Sequence, residues 1–346
     1  MRIAQVAPLY ESVPPQLYGG TERIVSYLTE ELVRQGHDVT LFASADSQTK
    51  ARLVPMRDRA SRLDGACRDS LSAHVVMLER VAACQRYFDL IHYHVDYLHF
   101  SLSRRGRTPH LTTLHGRLDL PELQAVYDEF RDMPVVSISD AQRQPLPQAN
   151  WVGTVHHGIP RDLHTFSARG RGYFAFLGRI SPEKRVDRAI EIAKRVGKPL
   201  KIAAKVDNVD RDYFDQQIKW RLADPLIEYL GEIGDPAKSA LLGGADALLF
   251  PIDWPEPFGL VVIEAMSCGT PVIGFRCGSV PEVIEDGVTG FVVDDVDEAI
   301  EAAVLVGSID REGCRAAFEQ RFSVERMAAD YVGLYERALM SSGAAA

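Results

Sequence analysis

Phe250-Pro251-Ile252-Asp253-Trp254-Pro255-Glu256-Pro257-Phe258-Gly259-Leu260-Val261-Val262-Ile263-Glu264-Ala265-Met266-Ser267-Cys268-Gly269-Thr270-Pro271 is the stretch on which the reading of this chain turns. It sets two carboxylates, Glu256 and Glu264, eight positions apart around a glycine at the expected start of a very apolar helix. A carboxylate inside residues 260–266 lies among buried side chains, where an unpaired charge costs on the order of several kcal/mol unless something polar satisfies it. A ligand is the expected partner. Glu256 precedes the helix and stands at its rim, while Glu264 sits about five residues in, roughly 8 Å along the axis.

Outward from this run the chain alternates between strand and helix patterns. The N-terminal half offers strands at 3–7, 38–42, 90–93, 111–114, 135–138 and 151–155, with helices at 22–34, 73–87 and 120–130. After a polar stretch at 161–172, rich in turn residues, the rhythm restarts. Strands are expected at 174–177, 200–204, 227–230, 247–250, 272–274 and 290–293, and helices at 186–195, 211–222, 236–242 and across the opening stretch. Two doubly wound α/β sheets in two domains follow, residues 1–160 and 161–323, with a last helix from 324 to 339 and a frayed tail to 346.

Composition narrows the function classes. A chain of 346 residues suits two domains of ordinary size. Its 39 basic against 48 acidic residues, net −9, argue against a nucleic-acid binder. Five cysteines, Cys67, Cys84, Cys268, Cys277 and Cys314, are odd in number and form no C-x-x-C, so neither a disulfide framework nor a zinc site is expected, and a reducing cytosol fits best. The first residues are broken by Gln5 and Pro8 too early for a signal peptide, and no run approaches a membrane span. Any membrane contact would be peripheral. Arginines at 52, 57, 59, 62 and 68, with a second group at 104, 105 and 107, could face anionic lipid or a phosphorylated acceptor, but apolar residues for insertion are sparse there. A solvated face is the plainer reading.

Further motifs carry candidate chemistry. Gly19-Gly20-Thr21-Glu22 lies between a strand and a helix, where backbone N–H groups and the helix dipole favour an anion; it would equally serve as a loop with Thr21 capping the helix. Arg179 and Lys184, in Gly178-Arg179-Ile180-Ser181-Pro182-Glu183-Lys184, follow a strand end, at the sheet edge where open α/β folds bind ligands. Two cations there would neutralise an anionic ligand. Asp210-Arg211-Asp212 and Asp295-Val296-Asp297 match a metal-holding spacing but lie where helices begin, so capping accounts for them. His92, His94 and Asp96 alternate along one strand end and are candidates for binding an acceptor's hydroxyl groups, or for a metal. His115, before Gly116, ends another strand.

The opening run and five ordered segments, Gly19–Glu22, Leu114-His115-Gly116, Gly178–Lys184, Gly278-Ser279-Val280-Pro281-Glu282 and Gly287-Val288-Thr289-Gly290-Phe291, together resemble the signature of family-four retaining glycosyltransferases with the GT-B fold and its E-x7-E motif. The resemblance spans nearly the whole chain. It implies two Rossmann-like domains facing across an interdomain cleft, the first on the acceptor side and the second holding a nucleoside-diphosphate sugar, UDP-linked, with the last helix crossing back to the first domain. It implies no cofactor and no metal. Glu256 would orient the sugar and Glu264 hold the ribose diol, while Arg179, Lys184 and the Gly20 backbone take the leaving diphosphate. N–H groups of Phe258, Gly259 and Leu260 would meet sugar or phosphate, His115 would stand beside the reacting centre, and the acceptor would be a carbohydrate, lipid or small-molecule hydroxyl. The chain departs from the commoner pattern at Val155-His156-His157-Gly158-Ile159, where a Pro-Asn-Gly turn is frequent. Competing functions are a nucleotide-sugar epimerase or phosphorylase on the same architecture, and a catalytically silent sugar- or nucleotide-binding protein.

Overall fold

The computed structural model describes residues 1–16 and 19–343, and contact density divides the chain into two units, Met1–Gly158 with Val324–Ala346, and Ile159–Ser323. Each is a parallel sheet sandwiched by helices.

In the first unit seven strands, β1 Arg2–Val6, β2 Asp38–Ala43, β3 Arg52–Pro55, β4 Leu90–Tyr93, β5 His110–Thr113, β6 Pro134–Ser137 and β7 Asn150–Thr154, stand in the order β3-β2-β1-β4-β5-β6-β7. All their pairings are parallel. Apolar side chains fill both faces, as a sheet covered on both sides requires. Val6, Phe42, Met77, Val81, Ile91 and Tyr93 form one such layer. Gln5 breaks the apolar run of β1 and is nevertheless fully buried. Strand order reverses between β1 and β4, and the helix Gly20–Arg34 follows β1.

The second unit repeats the design with six strands, β8 Phe174–Arg179, β9 Leu200–Lys205, β10 Ile227–Gly231, β11 Ala247–Phe250, β12 Val272–Phe275 and β13 Gly290–Val293, in the order β10-β9-β8-β11-β12-β13. These too pair only in parallel. Phe174, Phe176, Ile190, Leu200, Ile202, Leu249 and Phe275 belong to its core. The reversal of strand order falls between β8 and β11.

Several elements differ from expectation. β3 lies within the arginine-rich stretch, and Arg57 pairs with Asp64 at 2.9 Å and Arg62 with Glu11 at 3.6 Å, so local acids hold this basic face. Residues 211–222 form no uniform α-helix: an α turn at Arg211–Tyr213 widens to a π turn at Phe214–Ile218 and tightens to a 3-10 turn at Lys219–Ala223. A helix does begin after Asp295, at Val296–Leu305, and a further helix, Arg311–Arg321, has no counterpart among the expected elements. The final helix runs Val324–Gly343, four residues beyond its expected end, and residues 344–346 lie outside the described part. At the start and finish of the second unit, Ile159 forms a parallel bridge with Ser323 and its N–H donates to the Phe322 carbonyl at 2.9 Å. None of the five cysteines is bonded to another. Among the described residues no helix is long and apolar enough to cross a membrane.

Candidate functional site

In the second unit the carboxyl ends of β8 and β11 flank the reversal of strand order, the position at which open α/β sheets bind ligands. Arg179 ends β8, and a 3-10 turn at Pro182–Lys184 carries Lys184. The Lys184 ammonium is ion-paired with Glu256 Oε2. The same oxygen accepts the Trp254 indole N–H at 2.9 Å, and the ammonium lies 5.1 Å from the centre of the Trp254 ring. The two loops are tied together by the Asp253 N–H, which donates to the Glu183 carbonyl at 2.9 Å.

Prolines on both sides of Glu256 hold its backbone stiff. Behind it sits Gly278, with φ of 55°, where a Cβ would overlap the Glu256 backbone. The Ser279 N–H donates to the Glu256 carbonyl at 3.0 Å, and the Ser279 hydroxyl donates to the Phe258 carbonyl at 2.9 Å. The Gly278–Glu282 turn therefore acts as the buttress of the Glu256 loop.

The helix Leu260–Ser267 starts at Gly259, whose φ of 81° turns the chain sharply and whose missing Cβ leaves room for the Phe250 ring. The Val262 N–H donates to the Gly259 carbonyl at 2.9 Å, and the Leu260 and Val261 N–H groups before it have no carbonyl within the helix to serve. At the other end Gly269, with φ of 78°, closes a Schellman motif: the Gly269 N–H donates to the Met266 carbonyl and the Thr270 N–H to that of Ala265, both at 2.9 Å. Glu264, 6% exposed, lies on this helix as expected, but its charge is already balanced. Lys238 Nζ on the helix Asp235–Gly244 stands 3.6 Å from Glu264 Oε1. Nothing local in the sequence links Lys238 to a glutamate 26 positions on.

Arg179 is not brought to Glu256. Its guanidinium pairs with Glu183, and with Asp207 at 3.6 Å and Asp210 at 3.5 Å. Asp210 thus serves as a partner of Arg179, whereas Asp295 caps its helix by accepting the Glu298 N–H at 2.9 Å.

In the first unit Gly19 occupies the N-cap position of Gly20–Arg34 with φ of 155°, and a Cβ there would lie 2.7 Å from Pro15 Cβ. The N-cap glycine has no side chain with which to cap, and Thr21 lies inside the helix, so Thr21 is not its cap. Glu22 is buried, and burial raises its carboxyl above the usual range.

The His92, His94 and Asp96 candidates separate. His92 and His94 point into the unit's interior, their ring centres 4.0 Å apart, and are essentially unexposed. His92 Nδ1 meets the Tyr335 hydroxyl at 2.8 Å and its Nε2 meets the Thr113 hydroxyl at 2.7 Å, so neither nitrogen is left for an acceptor or a metal. His94 is likewise engaged, with Gln5 Oε1 at 2.8 Å and His115 Nε2 at 2.9 Å. Burial holds both imidazoles well below their ordinary titration range. The tyrosines responsible come from the final helix, which no strand periodicity could reveal. Asp96 alone reaches the surface, and it has φ of 48°.

His115 is partly exposed and stacks on His157 with ring centres 5.3 Å apart. Its Nδ1 is buried and has no hydrogen-bond partner among the described residues. Burial lowers its pKa to about 3, so the ring is neutral.

Comparison with known proteins agrees with this architecture. Residues 165–313 match the model of glycosyl transferases group 1, and residues 18–192 that of Glycosyltransferase Family 4. D-inositol 3-phosphate glycosyltransferase of Mycolicibacterium smegmatis is 26% identical, over 85% of this chain and 79% of that one. Phosphatidyl-myo-inositol mannosyltransferase of the same organism is 26% identical, over 93% and 88%. Among solved structures, Anabaena HepE in complex with UDP and glucose superimposes with a TM-score of 0.74 at 20% identity, covering 97% of this chain and 100% of that one, which shows a shared GT-B fold. With one family model spanning just over half of its length, the chain belongs to glycosyltransferase family 4 and is a glycosyltransferase.

Proposed function

We propose that this glycosyltransferase retains anomeric configuration, needs no metal, and moves a hexose from a UDP-linked sugar to the hydroxyl of a carbohydrate, lipid or small-molecule acceptor. The observation that supports this reading is the gathering of Lys184, Glu256 and the start of the helix Leu260–Ser267 where the strand order of the second sheet reverses. A cation and an anion already paired there offer separate handles for a diphosphate and a sugar hydroxyl.

In the proposed roles, Lys184 and Arg179 neutralise the charge that develops on the leaving diphosphate, the place where preorganised cations act most strongly. N–H groups of Gly19 and Gly20, and of Phe258, Gly259 and Leu260, supply further donors. Glu256 accepts from sugar hydroxyls. The free oxygen of Glu264 holds the ribose diol while Lys238 balances its charge. His115 takes a hydroxyl of the donor sugar, and Asp96 is the candidate for the acceptor. The acceptor oxygen forms the new bond to the anomeric carbon as the bond to the diphosphate breaks, and a phosphate oxygen of the leaving group takes the acceptor proton. The HepE structure named for UDP and glucose supports the donor class. Two relatives named for inositol-containing acceptors favour a polyol.

The test is a screen of nucleotide sugars by thermal shift, followed by nucleotide release with polyol and lipid acceptors in chelator and NMR of the product anomer. Transfer with retention in chelator is expected. An inverted anomer, or turnover of donor without an acceptor, would reject the reading.

A further inference from the structure

The interior of the first unit contains a continuous hydrogen-bonded chain that ends at His115. From the final helix, Tyr331 meets the Thr113 hydroxyl at 2.8 Å, and Thr113 meets His92 Nε2 at 2.7 Å. His92 Nδ1 meets the Tyr335 hydroxyl at 2.8 Å, which accepts the Gln5 amide N–H at 3.3 Å. Gln5 Oε1 then contacts His94 Nε2 at 2.8 Å, and His94 Nδ1 contacts His115 Nε2 at 2.9 Å.

The orientation of one amide decides every proton along this chain. Gln5 turns its oxygen toward His94, and an oxygen can only accept, so His94 carries its proton on Nε2. A neutral His94 then has a lone pair on Nδ1, which must receive a proton from His115 Nε2. That leaves His115 Nδ1 bare. On the other side the Gln5 N–H donates to the Tyr335 oxygen, the Tyr335 hydroxyl donates to His92 Nδ1, His92 Nε2–H donates to Thr113, and Thr113 donates to Tyr331. Turning the amide over would reverse each bond and put a proton on His115 Nδ1, where it would be a buried donor with nothing to receive it. Burial keeps all three imidazoles uncharged, so the chain works with neutral tautomers.

We propose that Gln5, His94 and Tyr335 are positioning residues that hold His115 in its Nε2-protonated tautomer, presenting the Nδ1 lone pair to a hydroxyl of the sugar being transferred. The sugar-facing part rests on the role proposed for His115 above; the tautomer does not. A bare Nδ1 accepts from a hydroxyl and rejects a carbonyl or an ether oxygen at the same place.

The experiment uses the full chain labelled with nitrogen-15 histidine and long-range proton–nitrogen correlation at pH 7, with His115→Asn assigning the His115 signals. Wild type is expected to show His115 protonated on Nε2 alone. Gln5→Met keeps the side chain's length and removes the acceptor, so His115 should become a mixture of tautomers; Tyr335→Phe, which frees the amide to turn, should do the same if Gln5→Met fails to fold. In a transfer assay, kcat/KM should drop about tenfold in Gln5→Met, the scale of one neutral hydrogen bond. Wild-type His115 protonated on Nδ1 or charged would overturn the proposal, as would an unchanged tautomer in the folded variants. If no nucleotide sugar is turned over but the tautomers behave as stated, the functional reading fails and the hydrogen-bonded chain stands.

Discussion

Gly278 presses its α-carbon against the backbone of Glu256, so that a side chain of any size would displace the loop bearing that carboxylate. Its φ of 55° adds backbone strain for any other residue. Gly278→Ala should cost about 1–3 kcal/mol in urea unfolding. It should also cost about 100-fold in kcat/KM, because the Glu256 loop must move by a fraction of an ångström or more. Activity unchanged in a folded Gly278→Ala would show that the position of this loop does not matter.

Glu256 itself stands at the rim, where a Lys184 left without it still reaches water at 18% exposure of its side chain. Glu256→Ala should therefore melt within a few degrees of wild type, while transfer falls by at least about 100-fold through loss of transition-state contacts. Melting curves and nucleotide release on the same preparation check both halves. Near-normal turnover would remove Glu256 from the mechanism.

Arg179 is claimed by Glu183, Asp207 and Asp210, and a diphosphate bound as proposed would have to draw the guanidinium away from them. Asp210→Asn removes one competitor and one repelling charge. Donor KM should fall about two- to fivefold with kcat little changed, in keeping with the ~0.5–1 kcal/mol of a part-exposed ion pair. A raised donor KM would mean that Asp210 orients Arg179 for binding.

Stability should depend on pH through the buried imidazoles. Burial lowers His92, His94 and His157 well below the ordinary 6.5, and His115 to about 3. Between 6.5 and those folded values the unfolded chain binds protons that the folded chain refuses. Their contribution is therefore whole above about pH 6.5 and drains away on acidification, by ~1.4 kcal/mol per pH unit for each histidine. The urea midpoint should fall from pH 7 to pH 5, and His115→Asn should flatten that slope by about one proton. A midpoint that holds or rises at pH 5 contradicts this.

Much of the architecture could be read beforehand, because buried parallel strands announce themselves as short apolar runs between glycines and prolines. The exceptions have physical causes. β3 is an edge strand with exposed ends, and its arginine and proline look like solvated loop. The helix Arg311–Arg321 buries only Cys314 and Phe318, too few to make an apolar stripe. For the site, residues near in sequence were legible and distant partners were not. Glu264 drew attention because it is charged among apolar neighbours, but Lys238, which answers it, looked like any surface lysine. The place of His92 at a strand end points to an acceptor or a metal, but two tyrosines more than 230 positions later enclose it. Gln5 was itself a signal, a lone amide in a core strand, whose meaning depends on the final helix.

The bridge between Ile159 and Ser323 means that the second unit begins and ends at one spot. A length of chain whose two ends are already hydrogen-bonded neighbours can be lifted out or exchanged as a cassette, since its host has only a short gap to close. Residues 159–323 therefore mark natural splice points for building chimeras, in which the corresponding unit of another family member is grafted between Gly158 and Val324.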